Sequence, residues 1–384
     1  MNFNLTEEHE MIRQAARDFA VNECLPGVIE RDELQKFPYE QIEKLADLGF
    51  MGMMVPVEYG GAGLDTISYV LAMEEISKVD ASVSVCMSVN NSLVCFGLEK
   101  YGTEEQKRKY LVPLAQGKKD GKLYIGAFLL SEPEAGSDAT SQRTTAVDKG
   151  DHFVLNGVKN WITNGSSASV YLVMAQTNPE LKSRGITTFI VEKDWPGVTV
   201  GPKENKMGIR GSDTHSIMFQ DVIVPKENVV GGVGFGFKFA MTTLDGGRIG
   251  IASQALGLAS GAYELALKYA KERKAFGVEI GHHQAIQFKL ADMATRIDAA
   301  RLLCLRAAFD KDQQRDYSIS AAMAKVFASE TAMWATTEAV QIHGGYGYVK
   351  EYHVERMMRD AKITQIYEGT SEVQRIVIGR SLMK

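Results

Sequence analysis

The stretch RDAKITQIYEGTSEVQ, residues 359–374, lies near the C-terminus and predicts two helices separated by a short break. Its first half continues an apolar pattern at near-helical spacing, and Ser371 and Gln374 have the spacing of a capping box. Glu368 therefore falls in the break, beside Gly369, which allows other groups to approach the backbone closely. A partly desolvated carboxylate there is a candidate general base, although a solvated glutamate in a helix–helix turn has the same pattern.

The composition is that of an ordinary globular protein of 384 residues, 45% hydrophobic and 24% charged, with a net charge of −5. The length predicts two or three domains, and the mild acidity gives no reason to expect nucleic acid or an anionic membrane as partner. The cysteines contain no CxxC pair and indicate buried thiols in a reducing compartment; they are Cys24, Cys86, Cys95 and Cys304. We expect no metal site.

The N-terminus is acidic and has neither an apolar signal core nor an arginine-rich transit segment. No apolar run is expected to approach the roughly 20 residues that span a membrane. The sequence therefore predicts a bacterial cytoplasmic protein, with the mature form of a mitochondrial matrix protein as the alternative.

Three domains are expected from the change of periodicity along the chain: a helical domain at 1–120, a β domain at 121–230 and a helical bundle at 231–384. In the first domain, Thr6 is the expected N-cap of the first helix, Thr103 and Gln106 form a capping box, and the glycine-rich residues 58–63 are expected to form a turn.

The β domain is expected to be an antiparallel barrel or sandwich, because no helical period connects its strands. Strands are predicted at 124–130, 144–147, 153–155, 170–175, 187–191 and 216–219, with turns at 148–151, 156–157 and 196–197. In the bundle, long helices are predicted at 235–271, 284–311 and 319–342, followed by the pair that flanks Glu368. Such helices commonly bury one another across subunits, so a homo-oligomer is expected.

Two stretches of the β domain carry side chains suited to a planar cofactor. Residues 130–138 are rich in small and hydroxyl residues that offer donors to a polar edge. Trp161 and Thr163 lie on one side of a strand, where the ring can serve as a wall and the hydroxyl as a donor. An ordinary turn and a core tryptophan are the alternatives.

The bundle contains further unusual residues. Gly246 and Gly247 interrupt the first long helix at a cost of roughly 1 kcal/mol each, which indicates that another group approaches the backbone. Arg273 ends that helix, where it can clamp a diphosphate or simply neutralise the helix end. Residues 341–347 form a glycine-rich helix end that is open to a ligand.

Six stretches of the sequence are together much more specific for one protein family than any of them is alone. They are 130–138, 161–163, 244–248, 273–277, 341–345 and 366–370. In this order they resemble the acyl-CoA dehydrogenase family of flavoproteins, and the resemblance covers essentially the whole chain. Residues 88–93, 208–211 and 243–252 are most similar to the short-chain (butyryl-CoA) members.

The resemblance implies a helical domain, a β-barrel domain and a four-helix C-terminal domain, assembled as a tetramer, with FAD between the barrel and the bundle. It implies that the flavin end of FAD meets Phe128, Leu130, Ser131, Ser137, Trp161, Ile162 and Thr163. It implies that the diphosphate and adenosine meet, in part across a subunit interface, Arg273, Phe276, Gln284, Gln341, Gly344 and Gly345. Thr370 and Glu372 would cap the flavin side of the last helix. The acyl-CoA would meet Ser137, Asp245, Arg248, Tyr367 and Gly369.

The resemblance also implies the chemistry. Glu368 would remove the α-proton of the acyl-CoA while a hydride passes to the flavin, and its backbone N–H would help to polarise the thioester carbonyl. Some relatives carry the base at the position of Gly247, which cannot accept a proton. Relatives that decarboxylate glutaryl-CoA carry an arginine at the position of Ser84, so a dicarboxylate substrate is disfavoured.

Alternatives remain for the substrate and the partner. Branched or alicyclic short acyl-CoA thioesters are the alternative substrates. A flavin-bearing DNA-binding relative is disfavoured by the net charge of −5 and by the expected short segment after Glu368. An oxygen-using oxidase is disfavoured because such relatives are generally longer. Electron-transfer flavoprotein is the expected electron acceptor, with a bifurcating complex as the alternative.

Overall fold

The computed structural model describes residues 4–383. Residues 1–3 and 384, at the outer ends of the first and third predicted domains, lie outside the described residues. A helical region, a β region and a second helical region follow one another along the chain, and this confirms the predicted order.

The N-terminal region is a set of helices joined by 3₁₀ and π-helical turns. They are α1 (Glu7–Phe19), α2 (Val28–Glu33), α3 (Tyr39–Asp47), α4 (Thr66–Ser77), α5 (Ala81–Ser88), α6 (Phe96–Tyr101), α7 (Glu104–Gln106) and α8 (Val112–Gln116). Thr6 caps α1 by accepting a hydrogen bond from the His9 N–H, and Thr103 and Gln106 form the expected capping box. The glycine-rich residues 58–63 form a turn, as predicted.

A π-helical turn, Val89–Cys95, joins α5 to α6, so that Ala81–Tyr101 is one continuous helix. By length and composition this helix is apolar enough to cross a membrane, which corrects the expectation that no apolar run approaches that length. Its most apolar window is 94% buried inside the protein, as in the core helix of a globular domain. The Asn90 amide donates to the Leu114 carbonyl at 2.9 Å and accepts from the Gly126 N–H at 2.9 Å, which ties this helix to the β region.

The β region begins with a short hairpin and continues as an eight-stranded sheet. The hairpin is β1 (Lys118–Lys119) and β2 (Lys122–Leu123); the sheet contains β3 (Gly126–Leu129), β4 (Thr145–Asp148), β5 (His152–Thr163), β6 (Val170–Gln176), β7 (Ile186–Glu192), β8 (Val198–Lys203), β9 (Thr214–Pro225) and β10 (Val229–Val230). The strand order is β10-β7-β6-β4-β5-β9-β8, with β3 beside β6. The middle β domain is confirmed with one difference: β3 and Thr145, the first residue of β4, pair with β6 in the parallel direction. The connections to β6 pass through other strands, so they allow strands of the same direction to pair.

The turn predicted at 156–157 is wrong, because both residues lie inside β5. The register between β5 and β9 shifts between Leu155 and Gly157, which marks a β-bulge. Gly157 has a φ of 147°, and a Cβ there would lie 2.5 Å from the Thr144 hydroxyl. The glycine therefore serves a close approach within the sheet and not a chain reversal.

The C-terminal region is dominated by long helices that pack on one another. They are α9 (Gly236–Glu272), α10 (Gln284–Asp312), α11 (Ser318–His343), α12 (His353–Ile363) and α13 (Ser371–Leu382), and a small hairpin of β11 (Lys274–Ala275) and β12 (Val278–Glu279) follows α9. The helix α9 packs against α10 and α11, and also against α4 and β7 of the other two regions. Phe239 of α9 stacks on Phe128 of β3, with ring centroids 6.5 Å apart.

Candidate active site

A cavity of about 580 Å³ lies where the three regions meet. Val85, Val89 and Leu93 reach its wall from one face of the helix Ala81–Tyr101, at the four-residue spacing of a helix. Asn90 is not on the wall, because its side chain is engaged on the other side of the helix. The helix Ala81–Tyr101 therefore presents an apolar face to the cavity.

The residues expected to meet the flavin end come together on the cavity wall. They are Phe128, Leu130, Ser131, Ser137, Trp161, Ile162 and Thr163. Trp161 is 60% exposed, so it is not the core tryptophan that was the alternative.

Three residues of the wall have a left-handed backbone although they are not glycines. They are Trp161 with a φ of 62°, Ile209 with a φ of 42° and Glu368 with a φ of 51°. Such conformations cost about 1–3 kcal/mol each and are concentrated at functional sites in proteins. The cavity wall is therefore one of the places where surrounding structure holds a strained backbone.

Glu368 lies in the turn between α12 and α13, as the sequence predicted. The predicted capping box of Ser371 with Gln374 is wrong, because Thr370 is the N-cap and accepts from the Val373 N–H at 3.3 Å. Gly369, with a φ of 90°, places Thr370 in the extended conformation of a cap. The Gln374 amide instead donates back to the carbonyl oxygens of Glu368 at 3.2 Å and Gly369 at 2.8 Å.

The carboxylate of Glu368 is enclosed. Its Oε2 is buried and has no hydrogen-bond partner within residues 4–383. Burial raises the pKa of Glu368 to about 7, against the opposing charges of Lys325 and Arg248. Among the two readings of the sequence, the partly desolvated carboxylate fits this geometry and the solvated turn does not.

Gly247 provides the room for this carboxylate. A Cβ at Gly247 would lie 2.1 Å from the Glu368 Oε2 and 2.7 Å from the Leu93 Cδ2. At Gly246 the nearest atom, the Ser92 carbonyl oxygen, would be 3.7 Å away, which is ordinary contact. Of the two glycines, only Gly247 therefore has the close approach that the sequence predicted, and the approaching group is the Glu368 carboxylate.

The predicted substrate residues divide into two sets. Arg248, Tyr367 and Gly369 line the cavity, together with Ser137, but Asp245 does not. Asp245 forms an ion pair with Arg248 one helical turn away and accepts from the Ser318 hydroxyl at 3.0 Å. Thr370 lines the cavity, whereas Glu372 is exposed in the first turn of α13.

Two lysines at the site were missed by the sequence reasoning. Lys206 lines the cavity and donates to the Ser212 carbonyl at 2.8 Å, and burial lowers its pKa to about 8. Lys325 of α11 is fully buried and donates to the Gly369 carbonyl at 2.6 Å. A lysine among the small residues on the buried face of α11 was an available signal for Lys325; no motif marks Lys206.

The remaining predicted residues form a separate group that we call the distal cluster. It consists of Arg273, Phe276, Gln284, Gln341, Gly344 and Gly345, which are all exposed and are not on the cavity wall. Arg273 is the C-cap of α9, and its guanidinium lies 5.6 Å from the centroid of the Tyr346 ring. Phe276, in the turn between β11 and β12, is 96% exposed.

The cavity has the chemistry of a site for a flavin ring. Phe128, Trp161 and Ile162 supply apolar surface, and Ser137 and Thr163 supply hydroxyl donors beside it. A planar conjugated ring with one polar edge needs this combination. Glu368 lines the same space, and its Oε2 is buried without a hydrogen-bond partner within residues 4–383. The residues present therefore fit FAD.

The chain belongs to the acyl-CoA dehydrogenase family. The models of the family's N-terminal, middle and C-terminal domains match residues 6–118, 127–222 and 234–383, respectively. Members of this family are FAD flavoproteins, in agreement with the cavity.

Three similar proteins refine this assignment. The short-chain specific acyl-CoA dehydrogenase of Clostridium acetobutylicum is 50% identical over the full length of both chains. The solved butyryl-CoA dehydrogenase of Megasphaera elsdenii is 49% identical, with a TM-score of 0.97 and all of both chains covered. A chain of a solved structure described as the electron transferring flavoprotein of Acidaminococcus fermentans, in work on flavin-based electron bifurcation, is 52% identical. It has a TM-score of 0.98, again with both chains fully covered.

Proposed function

We propose that this chain oxidises the Cα–Cβ bond of short-chain acyl-CoA thioesters to give trans-2-enoyl-CoA, with Glu368 as the base that removes the α-proton. The observation that carries the proposal is that Glu368 lines the cavity and that its buried Oε2 has no donor within the described residues 4–383. Among the buried side-chain atoms that lack a partner within these residues, Oε2 of Glu368 is the only carboxylate oxygen, and a buried carboxylate without a donor calls for a ligand or a catalytic role. FAD, when bound, supplies the acceptor for the β-hydride.

Glu368 takes the proton in its ionised form. Because burial raises its pKa to about 7, the fraction of carboxylate increases as the pH rises through that value. A raised pKa also makes the carboxylate a stronger base than an exposed glutamate. Both effects suit the removal of a weakly acidic proton near neutral pH.

The backbone of Glu368 supports a second contribution. The α-proton is too weakly acidic for a carboxylate alone, so the thioester carbonyl must be polarised. The Glu368 N–H donates to no acceptor among residues 4–383, whereas its own carbonyl is held by Gln374. We assign this N–H to the carbonyl oxygen of the thioester.

Four residues of the cavity wall are proposed to border the thioester and the adjoining part of CoA. They are Ser137, Arg248, Tyr367 and Gly369. Asp245 is off the wall and paired with Arg248. We therefore assign Asp245 to orienting the guanidinium, and no longer to direct contact with the substrate.

FAD is proposed to be held at two places. Its flavin end occupies the cavity beside Phe128, Leu130, Ser131, Ser137, Trp161, Ile162, Thr163 and Thr370. Glu372 contributes indirectly, by helping to cap the flavin side of α13 from its first turn. Its diphosphate and adenosine meet the distal cluster, in part from a second subunit. Support comes from Arg273, which forms no ion pair within residues 4–383, and from the exposed Phe276 ring.

The preference for short chains is supported by two similar proteins that are described as short-chain specific and as butyryl-CoA dehydrogenase. A buried hydrogen bond at the cavity agrees with a limited depth. The Tyr367 hydroxyl donates to the Gln254 side-chain oxygen, and Gln254 in turn donates to the Ala81 carbonyl at 2.9 Å. Extending the cavity past Tyr367 would break this chain of hydrogen bonds.

We further propose a cytoplasmic homotetramer that passes its electrons to an electron-transfer flavoprotein in fatty acid β-oxidation. The similarity to a chain of a structure described as an electron transferring flavoprotein supports the acceptor. The similarity to a clostridial enzyme supports a bacterial cytoplasmic setting. The exposed Phe276 ring of the distal cluster supports assembly.

The test is to mix the FAD-loaded protein with butyryl-CoA in the absence of oxygen. Loss of the oxidised-flavin absorbance, with trans-2-enoyl-CoA as the product, is the expected result. No change in the absorbance would refute the proposal. Rapid peroxide formation in air would reassign the chain to an oxidase, and faster reduction by branched or alicyclic thioesters would replace the straight-chain substrate.

A further inference from the structure

Lys325 is a buried cation close to the base. It lies on α11, its side chain is fully buried, and its ammonium donates to the Gly369 carbonyl oxygen at 2.6 Å. Within residues 4–383 no carboxylate contacts it as an ion pair. A buried lysine without a contacting carboxylate is unfavourable for folding, because its charge loses water without a full replacement. Stability alone therefore does not account for it.

The hydrogen bond to Gly369 does not account for it either, since the same carbonyl has a second donor. The Gln374 amide donates to the Gly369 oxygen at 2.8 Å and to the Glu368 oxygen at 3.2 Å. These bonds hold the left-handed backbone of the turn, where Glu368 has a φ of 51°. Lys325 and Gln374 therefore both hold the turn by donating to the Gly369 carbonyl, but only Lys325 carries a charge.

We propose that Lys325 is a positioning residue for the dehydrogenation, whose positive charge keeps the neighbouring Glu368 carboxylate ionised and ready to take the α-proton. The inference rests on the proposed role of Glu368 as the base. Both Lys325 and Gln374 hold the turn by hydrogen bonds, but of these two residues only Lys325 carries a charge.

None of the other ionisable groups around Glu368 replaces Lys325 in keeping the carboxylate ionised. They are Arg248 of α9, Tyr69 of α4 and Tyr367 of the same turn. Glu372 of α13 acts on Lys325 instead, and burial lowers the pKa of Lys325 to about 8. The Arg248 charge is offset by its ion pair with Asp245. Burial raises the pKa of both tyrosines, so they stay neutral near pH 7. Among the charges that lower the pKa of Glu368, that of Lys325 is the largest.

The test compares Lys325→Met with Gln374→Met by measuring the rate of flavin reduction by butyryl-CoA against pH. Both variants lose one donor to the turn, but only the first loses a charge. Without the lysine the pKa of Glu368 rises, so the midpoint of the pH profile is expected to move upward by about one unit in Lys325→Met. In Gln374→Met the midpoint is expected to stay where it is in the unmodified protein.

FAD content and the melting temperature are measured on the same samples. Lys325→Met is expected to fold and to retain FAD, because it removes a buried charge and leaves Gln374 on the carbonyl. An unshifted midpoint, an equal shift in Gln374→Met, or a Lys325→Met chain that does not fold would each overturn the inference in favour of a structural role. If the unmodified protein is not reduced by butyryl-CoA at any pH, the proposed function fails and this inference fails with it.

Discussion

The cavity and the distal cluster both contain strained backbone, but only the cavity encloses it. In the cavity, Glu368 at a φ of 51° is held by Gln374 and by the N-cap Thr370. In the distal cluster, Phe276 at a φ of 55° is 96% exposed. Strain persists where surrounding structure over-determines it. The difference agrees with our proposal that the catalytic groups are complete in one chain, whereas FAD and a second subunit complete the distal cluster.

Replacing the base should give the largest effect and should leave the distal cluster untouched. In Glu368→Gln we expect flavin reduction by butyryl-CoA to fall by about 10²- to 10⁴-fold, because only the proton acceptor is removed. FAD content should be unchanged. Stopped-flow absorbance measures the rate, and Glu105→Gln, at an exposed position of α7 with no assigned role, is the control. A fall of less than about tenfold would mean that another group is the base.

Filling the space beside the carboxylate tests the enclosure itself. In Gly247→Ala the new Cβ would meet the Glu368 Oε2 at 2.1 Å, so the carboxylate must move. A displacement of about 1 Å can reduce the rate by about 10²-fold, and we expect a loss of this size with FAD retained.

Gly246→Ala is the control for that change, since its nearest neighbour would be 3.7 Å away. It should keep the rate and raise the stability by about 0.5–1 kcal/mol, because alanine is the better helix former. Thermal unfolding and stopped-flow reduction distinguish the two variants. Equal rates in both would show that the carboxylate does not need the space at Gly247.

Removing the charge of the distal cluster should produce the opposite pattern. We expect Arg273→Ala to weaken FAD retention and the assembly together, by about 1.5–3 kcal/mol, the usual loss for a charge-assisted contact. Flavin reduction in the loaded fraction should be unchanged. Gel filtration with flavin quantitation measures both properties, and Lys274→Ala at the adjacent exposed position is the control. A fully flavinated and unchanged oligomer would leave Arg273 with the simple role of neutralising the end of α9.

Chain length should give the smallest steps and reports on the depth of the cavity. We expect kcat/KM with an artificial acceptor to be highest for butyryl-, valeryl- or hexanoyl-CoA and to fall for octanoyl-CoA and longer thioesters. Each buried methylene contributes about 0.8 kcal/mol until the site is full, and overfilling costs about 1–3 kcal/mol. The discrimination per step should therefore be about tenfold. A maximum at octanoyl-CoA or beyond would contradict the short-chain assignment and leave the family assignment intact.

The sequence predicted most successfully where one pattern is repeated over many residues. The long helices of the bundle differ from their predicted bounds by a few residues, and the N-cap Thr6 and the capping box of Thr103 with Gln106 are found where they were expected. The turn containing Glu368 was also predicted, because it interrupts such a pattern. Gly247 was recognised as unusual because a helix interior disfavours glycine.

The failures have local physical causes. Thr370 and Ser371 are adjacent hydroxyl residues, and the sequence cannot tell which one caps α13; the left-handed Gly369 decides for Thr370. Lys206 and Lys325 are single polar residues whose importance arises from tertiary burial, which leaves no periodic trace. The parallel pairing of β3 with β6 depends on which distant strands meet, and propensity along one strand carries no information on that.

The contact between Gly247 and Glu368 also limits how related sequences can diverge. Side chains at positions 247 and 368 compete for the same space, because a Cβ at 247 would overlap the carboxylate at 368. A descendant that places its acid at 247 must therefore shorten the side chain at 368, and either substitution alone leaves a lineage with no base or with two that clash. We expect the two positions to covary strictly across homologues, and the two arrangements to define separate branches that do not interconvert by single mutations.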